Sequence, residues 1–395
     1  MVFLIVFLLL FNTIFVISPF FYQFSIIGPI SFLSLIILAI ILWIREKKIN
    51  YPKQYLIIIF LILVSFILSS IYWQDFGLLH FSKFFILSLL IVSILDNEIK
   101  HLFIKVLSWF LLFQLVLAII GFVYSAFGGQ PILEIIIPSG RSFPLYLTSF
   151  SVTKYAYFIR PSGLFDEPGA LSFLICFLVM IREVNGFKRY FNYLLLFLGL
   201  ITLSLAHIIF TLIYLIYCVF VLRSKVSILL TFISIVFLAL VVPFIPNTDF
   251  VIDYFLSRSS SDLGGSGRSG LFNTTLSYLK SSDLNVYFWG VSSYCLTDYN
   301  ANCRYVFPRM GENILSPLVF GGIITSWFYY ILSMVTFILA IIKPRKYIIL
   351  FGFIMLFFQR PYMYNISYSL MYAFAISEIL ILLNKNKIDI VRSKC

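Results

Sequence analysis

Charge is what this chain has least of. Asp, Glu, Lys and Arg together make up 11% of its 395 residues, against 62% hydrophobic residues and a mean hydropathy of +1.04. Those proportions exclude a soluble globular protein and distribute the core through a bilayer instead. Histidine is down to three residues and none lies in 246–312, so a metal site in that stretch lacks its commonest ligand. Residues 1–10 carry no basic side chain and the apolar run continues to residue 17, which reads as a first span rather than a cleaved signal. Internal repeats and the alternation of β-barrel strands are absent as well.

What is there is a series of apolar runs, at about 2–22, 26–44, 55–73, 80–95, 103–124, 166–181, 190–205, 207–222, 226–245, 313–342, 347–358 and 365–383. A span needs roughly 20 apolar residues, so several runs are short, and 313–342 is long enough to tilt or bend. The 190–222 stretch carries Thr202, Ser204 and His207 at its middle, which fits two short spans with a turn between them. With twelve spans the basic groups around Lys47, Lys100, Arg182, Arg223, Arg345 and Lys387 all fall on one side, placing both termini in the cytoplasm. The same sorting accounts for much of the net charge of +12, which in a soluble chain would point to nucleic acid. The expected fold is therefore an all-α integral membrane protein, a single polytopic helical bundle over 1–395 with about twelve transmembrane helices. Two long outward loops, 125–165 and 246–312, show no helical or strand period strong enough for a folded domain. Loops of that length are usually functional.

Five cysteines are present. Cys176 and Cys218 lie in apolar runs and Cys395 ends the tail, each read as packing or a free thiol. Cys295 and Cys303 share the second outward loop, where an oxidising exterior would close them into a small disulfide loop; two unpaired thiols are the alternative.

The outward loops hold Arg141, Arg160, Arg258, Arg268, Arg304 and Arg309, against the usual sorting of positive charge. Guanidinium forks match phosphate oxygens, and the Gly/Ser-rich stretch from Ser257 to Gly270 has the freedom to wrap backbone N–H groups around an anion. It lacks the order of a nucleotide P-loop, and a lipid-linked pyrophosphate suits an outward loop better than ATP. Residues 160–169, Arg-Pro-Ser-Gly-Leu-Phe-Asp-Glu-Pro-Gly, add carboxylates at the mouth of an apolar run. Pro168 suits the first turn of a helix, which leaves Glu167 at its cap. An anion there either stabilises the helix N-terminus or serves as a general base, with Asp166 the alternative capper. Glu312 repeats the arrangement before the run that starts at Asn313. A carboxylate to take a hydroxyl proton, beside cations that hold a pyrophosphate leaving group, is what glycosyl transfer requires. No Asp-x-Asp pair in an outward loop offers a metal site, so leaving-group stabilisation falls to arginine and no cofactor is called for. His207 reads as a packed, hydrogen-bonded histidine, and Glu378 as an acid within reach of the cytoplasmic interface.

Four stretches carry a resemblance to a known family. They are the 160–169 segment, Thr202-Leu-Ser204 before a second hairpin helix, Gly267-Arg268 in the large loop, and the Asn-led run with paired glycines from Asn313 to Gly322. The chain resembles the O-antigen polymerase family of bacterial inner-membrane proteins, which is related to the O-antigen ligases. The resemblance implies lipopolysaccharide biosynthesis: polymerisation of undecaprenyl-pyrophosphate-linked oligosaccharide units by a glycosyltransferase facing the periplasm, possible neighbours being a flippase and a chain-length regulator. Glu167 and Glu312 are the expected catalytic carboxylates, and Arg160, Arg258, Arg268, Arg304 and Arg309 the expected pyrophosphate- and glycan-binding residues. The chain departs from the ligases in having Glu312 where they have His, immediately before Asn313. A ligase is the nearest rival, and a flippase or transporter of lipid-linked oligosaccharide the rival of another class. The latter calls for charged residues inside spans, which are few in this sequence.

Overall fold

The computed structural model describes residues 1–14, 17–19, 27–45, 53–74, 76–136, 141–152, 159–220, 268–291, 313–342, 351–359 and 366–384. They form thirteen α-helices and one small sheet: α1 (Val2–Ile14), α2 (Ile27–Arg45), α3 (Lys53–Trp73), α4 (Gly77–Ile94) and α5 (Asn97–Ala126) precede β1 (Leu133–Ile136), β2 (Ser142–Tyr146) and β3 (Ser149–Phe150). After these come α6 (Pro168–Val184), α7 (Arg189–Gly199), α8 (Leu205–Phe220), α9 (Arg268–Ser281), α10 (Leu284–Trp289), α11 (Ser316–Ile342), α12 (Phe351–Gln359) and α13 (Ile366–Asn384). Helices occupy every expected apolar run except 226–245, which lies outside the described residues.

Four helices among the described residues are long and apolar enough to cross a membrane: Ile27–Arg45, Tyr55–Trp73, Asn97–Ala126 and Ser316–Ile341. This corrects the expectation of twelve full spans. α7, with both ends among the described residues, has 11 residues. At about 1.5 Å per residue it reaches roughly 17 Å, short of a hydrocarbon layer of roughly 30 Å. The 190–222 stretch divides as expected: a 3₁₀ turn, Leu200–Thr202, and Leu203 in the left-handed region (φ 48) separate α7 from α8.

The chain falls into two compact units. The first comprises Met1–Val64, Leu79–Ile208 and Met363–Cys395, the second Ser65–Leu78 and Ile209–Tyr362. In the first unit α6 is the central helix, with every residue from Ala170 to Glu183 buried. An all-round apolar helix of that kind has no face to give to solvent. Pro168 starts it. Gly186 (φ 73) ends it, donating from N to Glu183 O at 3.2 Å while Phe187 N reaches Arg182 O at 2.9 Å, the paired bonds of a Schellman cap. α5 is capped by Asp96, whose carboxylate accepts from Ile99 N at 2.7 Å and pairs with Arg45 at 2.8 Å. α1 and α2 are joined by Asn12, which donates from Nδ2 to Ser34 Oγ at 2.7 Å and accepts from Ser31 Oγ.

At the far end of α6, Arg182 donates from Nε to Asn192 Oδ1 (2.7 Å), from Nη1 to Ser108 Oγ (2.7 Å) and from Nη2 to Lys188 O (3.3 Å). Its guanidinium lies against the rings of Phe187 and Phe191. Glu183 accepts from Arg189 Nε at 2.7 Å and Asn192 Nδ2 at 3.2 Å. Lys100 and Glu378, both buried, form an ion pair between α5 and α13. Positive-inside sorting treats Lys100 and Arg182 as loop charges; the structure packs both inside.

Both outward loops carry local structure. The stretch 125–165 contains the antiparallel sheet β1-β2-β3, with Leu133 opposite Leu145 and Tyr146 opposite Ser149. Strands of two to five residues are too short to show a period in sequence. The sheet buries Ile135, Phe143 and Phe150 against Leu164, and sits on α5 where Gly121 admits it. A Cβ on Gly121 would meet Ser149 Cβ at 2.5 Å. Within 246–312, α9 and α10 form helices, α9 without an apolar stripe to announce it.

In the second unit α10 runs into α11 backbone to backbone. α11 breaks at Gly322 (φ 60, ψ −176), and Gly290 (φ 72) lies against that break, so that a Cβ on Gly290 would meet Gly322 N at 2.5 Å. Trp289 stacks on Tyr72 at 4.3 Å and its carbonyl accepts from Trp73 Nε1. Gly290→Ala is expected to destabilise by about 2 kcal/mol or more through strain and overpacking together. Gly128, at φ 85 with nothing within 4 Å of an added Cβ, isolates the strain alone. Thermal unfolding of both Ala variants measures the difference, and equal melting shifts would show that the close approach carries no energy.

Candidate functional site

The 159–169 segment is bonded to its surroundings on four sides. Ser162 N and Gly163 N donate to Ser149 Oγ at 3.1 and 3.0 Å, and Phe150 N donates to Gly163 O at 2.7 Å. Leu164 N donates to Gln114 Oε1 at 2.9 Å and Asp166 N to Ile17 O at 3.1 Å. Gly163 stands at φ 61, and a Cβ there would meet Gln114 Oε1 at 2.8 Å, so both conformation and space call for glycine. The sheet and α5 thereby fix the backbone that leads into α6.

Glu167 is the residue before the first turn of α6, extended at φ −144 and ψ 148, with its carbonyl accepting from Ala170 N and Leu171 N. Its carboxylate makes no capping hydrogen bond. Instead it accepts from Arg141 Nη2 at 2.9 Å, in a pair whose side chains are 33% and 41% exposed. Arg141 is held from below by the ring of Phe143, 5.0 Å from its guanidinium carbon. The carboxylate is thus aimed at a cation and at the surface, away from the helix end. Asp166 beside it is buried. Two carboxylates and one guanidinium at a helix mouth can receive a proton and hold an anion's counter-charge.

Arg160 is buried, and its guanidinium donates from Nε to Thr202 O at 3.4 Å and from Nη2 to Leu203 O at 3.1 Å. These carbonyls belong to the break between α7 and α8, so Arg160 ties the segment to that turn. Thr202 closes the turn itself by donating from Oγ1 to Gly199 O at 2.9 Å. His207 is buried on the first turn of α8. Leu196 O, 2.9 Å away, can only accept, so Nε2 carries the proton and Nδ1 faces Cys176 Sγ at 3.5 Å. That is the packed histidine the sequence suggested.

Of the other expected site residues, Arg258, Arg304, Arg309 and Glu312, and the pair Cys295 and Cys303, lie outside the described residues. Arg268 is placed as the first residue of α9, without a described side chain. Asn313 donates from Nδ2 to Thr275 Oγ1 at 2.8 Å, joining the start of α11 to α9, and accepts from Leu315 N at 2.9 Å. The described residues hold no cluster of three His, Cys, Asp or Glu side chains that could bind a metal ion. Sequence reasoning placed Arg141 among the outward arginines and missed it as the partner of Glu167. Its signal is a lone cation between two short apolar stretches, at a separation only the sheet explains.

No protein-family model matches the chain, and no curated protein matches its sequence.

Proposed function

We propose that the chain is an integral-membrane glycosyltransferase of the O-antigen polymerase type, joining undecaprenyl-pyrophosphate-linked oligosaccharide units on the outer face of a bacterial inner membrane. The observation that carries this reading is Glu167: a carboxylate at a helix mouth, unused as a cap and paired with Arg141. In the reaction a sugar hydroxyl oxygen of one lipid-linked unit forms a bond to the anomeric carbon of the other. The bond from that carbon to pyrophosphate breaks, the lipid pyrophosphate leaves with the electron pair, and the hydroxyl proton passes to the Glu167 carboxylate. Arg141 orients that carboxylate, and Arg160 holds the segment in register with the α7–α8 turn. Arg258, Arg268, Arg304, Arg309 and Glu312 are assigned to the second outward loop as donor-binding and acceptor-orienting groups, on the resemblance. The same proposal takes the apolar runs as the membrane body, with both termini in the cytoplasm. It also takes a flippase and a chain-length regulator as partners.

Glu167→Gln keeps the hydrogen-bonding shape and removes the base. In cells carrying this chain as their sole copy, long-chain surface polysaccharide is expected to disappear, leaving single units, with the amount of protein in the membrane unchanged. Arg268→Ala is expected to give the same pattern. Normal chain-length ladders in both variants would overturn the assignment. Deleting the gene separates polymerase from ligase: loss of a polymerase leaves single repeat units on the lipid core, loss of a ligase leaves none.

A further inference from the structure

Beside the candidate site, within the first unit, lies a cavity of about 280 Å³. α1 lines it from Phe7 to Ile14, α5 contributes Phe110 and Gln114, and Leu164 of the fixed segment closes it. Phe7 is 59% exposed, so the cavity reaches the apolar surface of α1. Its lining is hydrocarbon except for Ser18 and Gln114. Gln114 is fully buried, and its orientation is settled because Oε1 accepts from Leu164 N. That leaves Nε2, the donor end of the amide, without a hydrogen-bond partner among the described residues. A buried amide left in that state costs about 1–3 kcal/mol.

We propose that this cavity holds one acyl chain of a glycerolipid, whose ester carbonyl accepts a hydrogen bond from Gln114 Nε2. Size fits a chain: the volume is nearly twice that of an apolar cavity of about 150 Å³ known to admit benzene. Length fits too, since the eight residues of helix from Phe7 to Ile14 span about 10 Å. The polar contact chooses among lipids. A bare polyprenyl chain offers no acceptor along its length, and a phosphate at this position would lose its water against phenyl and aliphatic groups. A water here would meet Ser18 and Gln114 alone, the fewest polar partners it needs, and would leave the surrounding hydrocarbon wall unfilled. An ester carbonyl is a neutral acceptor at the head of a hydrocarbon tail, which is the chemistry the cavity presents. Gln114 binds Leu164 with one end and the ester with the other, so the lipid completes the support of the segment that carries Glu167. The inference stands apart from the proposed sugar chemistry.

The test uses the full chain in bilayer nanodiscs containing phosphatidylethanolamine with a photoreactive diazirine on its acyl chain. Adducts are expected on Leu164 or Phe165, displaced at least fivefold better by unlabelled diester lipid than by its diether analogue, which lacks carbonyls. Leu10→Trp, which fills the cavity, is expected to reduce those adducts at least fivefold while adducts on the exposed Trp43 stay unchanged. Gln114→Met is expected to abolish the preference for ester over ether. Adducts on Leu164 or Phe165 that persist in Leu10→Trp would overturn the proposal. So would equal displacement by the diether lipid or by polyprenyl phosphate in the unaltered chain.

Discussion

Glu378→Ala is expected to destabilise the chain by about 3–5 kcal/mol, among the largest losses a single side chain can cause. The carboxylate is 2% exposed and meets the Lys100 ammonium, itself 6% exposed, between α5 and α13. Neither charge is near bulk water, so removing one keeps the desolvation cost of the other and deletes the attraction that offset it. Removing both is different. The double variant Lys100→Met, Glu378→Leu replaces the pair by apolar groups of similar volume and is expected to recover most of the loss, since buried ion pairs contribute little net stability over hydrophobic neighbours. Heating the purified protein in detergent and following the soluble, monodisperse fraction gives the three melting shifts. Additive losses in the double variant would show that the two groups are not energetically coupled.

Arg182→Met ranks second. The guanidinium forks to Asn192, Ser108 and the Lys188 carbonyl while lying between two phenyl rings. Hydrogen bonds made by a charged group contribute roughly 1.5–3 kcal/mol each, and acceptors left behind in a buried site add their own penalty. A loss of about 3–5 kcal/mol follows, after allowance for the packing that Met retains. Arg182→Lys keeps the charge as a point on a flexible stem and cannot reach three acceptors at once. It is expected to recover less than half the loss. Full recovery by Lys would mean that charge alone, rather than the planar fork, holds α5, α6 and α7 together.

These two groups show where reading the sequence stops. A tally of basic residues treats Lys100 and Arg182 as markers of topology, because nothing in a charge count reveals which flank of a helix is packed. Helix positions were legible, since apolar runs of helical length have few other fates in a chain this poor in charge. Full membrane crossing was less so, because run length overstates helix length wherever a residue such as Leu203 breaks the backbone. At the site, Pro168 in the first turn and Glu167 before it could be read directly from their order. Arg141 could not be assigned to Glu167, since their meeting depends on strands of two to five residues folding onto Gly121. Gln114 did not stand out in sequence, because only the fold brings Leu164 N to its amide oxygen. The paired glycines 321 and 322 stood out in sequence, but their third partner, Gly290, did not.

The bonding of the 159–169 segment also bears on how fast and how tightly a ligand could bind at Glu167. Fixing one backbone residue costs about 1–2 kcal/mol at room temperature, so a loop of this length that ordered itself on binding would give up many orders of magnitude in affinity. Here the sheet, Ile17, Gln114 and the α7–α8 turn have already met that entropy during folding. A ligand arriving at the carboxylate finds its direction set, and its residence time depends on the contacts it makes rather than on a loop-closing step.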